Sequence, residues 1–166
     1  MPQFYPEYVP TDCVDDIARG FFEAAEFAAF DDKELTRGDT TSLAWSREAV
    51  AYVNDAARRI AADAELQALL EAHRAETETD ETGNGRDFYF TSARHGVGFW
   101  NRDDPHQGRV EALGNAADAY FPHVDCYRYR SKLYISGTER FGWSQARCDR
   151  EDARRAARDA AREARK

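Results

Sequence analysis

Cysteine is scarce in this chain of 166 residues: only Cys13, Cys126 and Cys148. An odd number at wide spacing excludes a disulfide framework, and the lack of any CxxC pair excludes the common zinc ligand sets. The three are expected to be reduced thiols that behave as small hydrophobes in a reducing compartment. Long apolar runs are also missing. No stretch approaches the roughly 18 residues that cross a bilayer, and residues 1–10 lack the basic start and apolar segment of a secretory signal. A cytoplasmic protein is expected. The sequence has no GxxxxGKS/T or GxGxxG opening a helix, no GxSxG and no HExxH, so nothing calls for a cofactor, a metal or an activated serine.

What is present suffices for one packed core: 42% hydrophobic residues, 13% of the chain aromatic, on a surface with 33% charge. The net charge of −8 is unevenly spread. Residues 1–80 hold 18 acids against 7 bases, residues 81–140 hold 8 of each, and residues 141–166 hold 5 acids against 8 bases. The chain runs from an acidic front to a basic tail, and an acidic field opposes nonspecific nucleic-acid binding everywhere except there.

The patterns predict an α+β domain over 1–140: N-terminal helices packed on a small antiparallel sheet of two hairpins flanking a helix, followed by a charged helical tail over 141–166. Pro2, Pro6 and Pro10 make the opening an extended arm. A first helix follows, capped by Thr11 or Asp12, with Ile17, Phe21, Ala24 and Ala28 on one face. Residues 31–41 read as a loop. Ser46 caps a second helix, with Trp45 placed to staple on Val50, and the stripe shifts phase near 62–65 into a short third helix ending about Arg74. Residues 76–86 contain no hydrophobic side chain and end in Gly83-Asn84-Gly85, so they read as a mobile acidic linker.

Strands are expected over 87–91 and 97–100, turned at Arg94-His95-Gly96, with Phe88, Phe90, Phe99 and Trp100 supplying core. Val110, Leu113, Ala117 and Tyr120 then form a helix stripe that Pro122 ends. A second hairpin follows around Arg130-Ser131, with Tyr127 and Tyr129 on one face. Residues 149–166 have helix propensity and no large apolar side chain, a combination that predicts an appendage.

The segment DFYFTSARHGVGFWNRD at 87–103 resembles a block found in small phage-encoded proteins of unassigned function, with an Asp-Phe strand, a turn and a His-Gly-x-Gly-Phe-Trp strand. Weaker similarity spans 14–136, from GFFEAAEF to VDCYRYRSKLYIS. The chain departs from the family at Ser92-Ala93-Arg94 and Asn101, and the basic tail lies outside the shared region. The resemblance implies a phage protein in a host cell and implies no activity.

Three functions fit these patterns. A non-enzymatic accessory protein would bind a host or phage protein through its acidic helices or an aromatic patch, with Arg94, His95, Trp100, Arg102, Asp103, Tyr127 and Tyr129 as the candidate binding residues. A nucleic-acid module would use Arg154, Arg155, Arg158 and Arg162 of the tail with the tyrosine face as a stacking surface. A small hydrolase would centre on His95, whose ordinary pKa suits acid–base work near neutrality.

Overall fold

The computed structural model describes residues 9–31, 44–122, 124–130 and 132–164. The expectations for the opening arm over 1–8 and the loop over 32–41 lie outside them. Six α-helices and a three-stranded mixed sheet are present among the described residues. Helix α1, Asp16–Asp31, starts later than expected, since the Asp15 carboxylate, not Thr11 or Asp12, accepts the Ala18 N–H. Helix α2, Arg47–Ala62, is capped by Ser46. Asp63 closes α2 and caps α3, Ala64–Thr77, by accepting the Leu66 N–H, so the expected break is there.

Residues 76–86 and 87–92 correct the sequence reading most. The expected linker and first strand form one helix, α4, Glu81–Ser92, whose N-cap Asp80 accepts the Gly83 N–H at 2.6 Å. Nine of the twelve residues of α4 are buried, including Gly83, Asn84 and Gly85. A helix buried over most of its circumference carries little amphipathic period. Phe88, Tyr89 and Phe90 therefore mimic a strand while each packs in a different direction: Phe88 on Phe99 and Phe121, Tyr89 on Phe21, Phe90 on Phe27.

The glycines permit that enclosure. A Cβ at Gly20 of α1 would lie 1.9 Å from the Thr82 carbonyl oxygen, and one at Gly85 would lie 2.2 Å from that of Ile17. The two backbones thus meet directly. An interior helical glycine usually costs about 1 kcal/mol relative to alanine. Here the sign reverses, and Gly20→Ala is expected to destabilise by about 1–3 kcal/mol through overpacking. Gly114, on helix α5 (Gln107–Tyr120), has open space around its Cβ position. Gly114→Ala should instead raise the melting temperature, and paired thermal melts check both signs.

The second expected strand is likewise replaced, by a short 3₁₀ turn at Phe99–Asn101. Phe88, Phe90 and Phe99 are core, whereas Trp100 is 44% exposed. The hairpin around Arg130 is present: β2, Cys126–Tyr129, pairs antiparallel with β3, Lys132–Ile135, setting Tyr127 opposite Tyr134 and Arg128 opposite Leu133. Arg130 turns it with φ 56°. The sheet is completed by a parallel strand, β1 (Ala44–Trp45), in the order β1-β3-β2. Two-hairpin architecture is therefore replaced by one hairpin and a short parallel strand.

The core joins these layers through aromatic contacts, with Phe21 stacked on Phe121 at 4.4 Å and Phe22 against Trp45 at 4.8 Å. Helix α6, Gln145–Glu163, is capped by Ser144 and buries none of its residues. Its root is held where Trp143 donates its indole N–H to Glu48 on α2 at 2.8 Å and Arg147 covers the Trp143 ring at 3.9 Å. Among the described residues, no helix is long and apolar enough to cross a membrane.

Candidate functional site

The residues singled out in the sequence do not converge on one centre. Arg94 stands in the turn after α4 with φ 58° and pairs across solvent with Asp118 of α5 at 2.8 Å. His95 is exposed, near the Tyr89 and Phe90 rings, and lines a small cleft of about 250 Å³ with Asp125 and Cys126. No group of three His, Cys, Asp or Glu side chains that could hold a metal occurs among the described residues. Trp100 lies on the surface with its indole N–H directed to the Gly96 carbonyl at 3.4 Å, and Asp103 is exposed.

Tyr127 stacks on Tyr134 at 5.3 Å, and Tyr129 reaches the same ring at 6.5 Å, so one sheet face carries a tyrosine row. Tyr129 is 56% exposed, and Arg130 lies over its ring. The Tyr127 hydroxyl donates to Glu139, and burial with that carboxylate pushes its pKa up to about 12. On α6, Arg154 pairs with Glu151, while Arg155, Arg158 and Arg162 are exposed.

Arg102 has a structured role. Its Nε and Nη2 each donate to Asp87 at 2.9 Å, a bidentate pair that anchors residue 102 to α4. The Asp87 side chain is only 3% exposed. Burial pushes its pKa above the usual carboxylate range, against the opposing pull of Arg102. The pair lies in a cleft of about 780 Å³ whose walls include Phe27, Phe90 and Val97, with Arg86 beside it. Arg86 is itself clamped by Glu23 of α1, at 2.6 and 2.9 Å.

A second polar group is built on a histidine that the sequence did not single out. His73 of α3, fully buried, meets Asp104 through Nδ1 at 2.7 Å. Asp104 also accepts both Nε and Nη2 of Arg109 at 2.7 Å and the His106 backbone N–H at 2.8 Å. The Arg109 guanidinium, with help from His73 and that N–H, holds the Asp104 carboxyl far below its usual range. Asp104 is therefore ionised, and Nδ1 of His73 carries the proton. The arrangement has the form of an Asp–His dyad, but Nε2 of His73 is buried with no hydrogen-bond partner among the described residues, and the ring abuts Phe99. With no access for a substrate, the dyad ties α3 to the start of α5. Its signal was available: His73 continues the Leu66–Leu70 stripe at helical spacing.

Compared with known proteins, the chain finds no counterpart: no family model matches it, and neither a curated protein nor a solved structure does.

Proposed function

We propose that this chain is a non-enzymatic accessory protein of a phage that binds a host or phage protein in the host cytoplasm. The observation that carries this reading is α6, 19 residues long with none buried. An unpacked helix gains little beyond propensity and local charge pairs, and a partner that covers it would supply the missing burial. A hydrolase would centre on His95, whose ring is exposed beside Tyr89 and Phe90 with no carboxylate bonded to it among the described residues, and the neighbouring Arg94 and Arg102 are taken up by Asp118 and Asp87. The resemblance of 87–103 supplies the phage assignment.

A second reading, nucleic-acid binding, draws support from the exposed Arg155, Arg158 and Arg162 and the exposed Tyr129. The interspersed acids, with Glu151 pairing Arg154, weaken that field.

Affinity capture of the tagged full chain from infected cells tests the choice. One stoichiometric protein partner, lost when residues 149–166 are deleted, is the expected result. The deletion should leave the thermal transition nearly unchanged, because among the described residues the one side-chain pair it removes that reaches outside α6 is Arg140–Asp152, an exposed ion pair of the kind that adds little to stability. A salt-dependent mobility shift of RNA or DNA, with no protein retained, would favour the second reading instead.

A further inference from the structure

The cleft beside Asp87 has features of a ligand site that protein binding through α6 does not use. Its apolar part is formed by Phe27 and Phe90, set edge to face at 6.3 Å, and by Val97, which is 37% exposed. Its polar part is formed by Arg102 and Arg86, each held by a carboxylate from within the protein. The volume of about 780 Å³ lies in the range of small-molecule sites.

We propose that this cleft binds a small organic anion, a carboxylate carried on an aromatic or branched apolar body. Asp87 takes one edge of the Arg102 guanidinium, through Nε and Nη2. The Nη1 side has no hydrogen-bond partner among the described residues, and the side chain is 36% exposed. Arg102 is thus pre-oriented, with donors left for a ligand oxygen, and an arginine held in place loses little entropy on binding. Apolar side chains next to those donors would lower the local dielectric and strengthen the charge-assisted hydrogen bond.

The lining acids do not reverse the preference. Asp87 is already matched by a bidentate guanidinium, with which an incoming ammonium would have to compete. Asp80 accepts the Gly83 N–H at the start of α4 and is exposed, where solvent screens its charge. Glu78 is exposed, where solvent screens it. Gly98 shapes the wall: with φ 142° and a Cβ position 2.3 Å from the Thr91 hydroxyl, only glycine lets residues 97–98 lie this close to α4.

The test is titration of the full chain with 1-naphthoate and with 1-naphthylmethylamine, which share a ring system and differ in charge, by calorimetry and ligand-observed NMR. Naphthoate is expected to bind at least about tenfold more tightly than the amine, the worth of one hydrogen bond between charged groups. Arg102→Gln should remove that advantage. Because that change strands a buried carboxylate, Val97→Glu serves beside it: it places a negative charge on an exposed wall residue, should fold normally, and should weaken naphthoate by about tenfold or more. Equal or tighter binding of the amine, no naphthoate binding at millimolar concentration, or naphthoate binding indifferent to Val97→Glu would each overturn the proposal. None of these outcomes bears on whether α6 captures a protein.

Discussion

Asp104→Ala is expected to cost about 3–5 kcal/mol, the typical loss when one partner of a buried charge network is removed. Native stabilities amount to only about 5–15 kcal/mol, so the variant should unfold at a far lower urea concentration or fail to accumulate. The Asp104 side chain has no exposure, and Arg109 retains only 12%. Deleting the carboxylate leaves a guanidinium, the His73 Nδ1–H and the His106 N–H without their acceptor. The same network makes a statement about pH. Its folded-state pKa is depressed, so its stabilisation is present above the ordinary carboxylate range and is lost only as pH falls through the lowered value. An Asp104→Ala chain that melts within about 1 kcal/mol of the parent would mean that water or repacking replaces the carboxylate.

The features legible in the sequence were those with local causes. Ser46 and Asp63 fix helix boundaries through hydrogen bonds three residues away; the first boundary falls where the cap chemistry of Ser46 placed it, and the second falls within the phase shift of the apolar stripe near 62–65. The alternation of Tyr127 and Tyr129 placed them on one sheet face, which depends only on the pleat. Alanine and paired charge confer helix propensity on residues 149–166, and α6 runs over Gln145–Glu163.

What failed has tertiary causes. Residues 81–85 look incapable of burial because they lack apolar side chains, yet the absence of a side chain at Gly85 lets α4 lie against α1. Phe88, Tyr89 and Phe90 imitate a strand because all three are buried, on different sides of α4. The polar residues Arg94, Arg102 and Asp104, close together in the sequence, are divided among separate partners: Asp118, Asp87 and His73. Those partners lie on α5, α4 and α3, at distances along the chain that spacing does not reveal. The same holds for Trp143, whose partner Glu48 is 95 residues away.

The stability of this protein is expected to fall as pH rises from about 4.5 to 8, because of Glu26. Its side chain is fully buried among the residues around α1. Oε1 accepts the Trp45 indole N–H at 3.1 Å, whereas Oε2 has no partner among the described residues. Burial, with a smaller contribution from the neighbouring Glu23 charge, raises its pKa from the ordinary 4.5 to about 8, against the pull of the Trp45 hydrogen bond. Below pH 4.5 the carboxyl is protonated in both states and costs nothing by ionisation. Between the two values the folded state holds a proton that the unfolded state has released, so each pH unit removes about 1.4 kcal/mol of stability. Above pH 8 both states are ionised and the loss levels off, at about 5 kcal/mol on this reckoning. Glu26→Gln mimics the neutral acid and keeps an acceptor for Trp45. Its stability should match the parent near pH 4.5 and exceed it progressively toward pH 8. Taking the difference between the two proteins in urea titrations at matched pH cancels the carboxylates they share, including Asp87 and Asp104. A difference that stays flat across that range would show that the Glu26 carboxylate is satisfied within the fold and that the core there tolerates its charge.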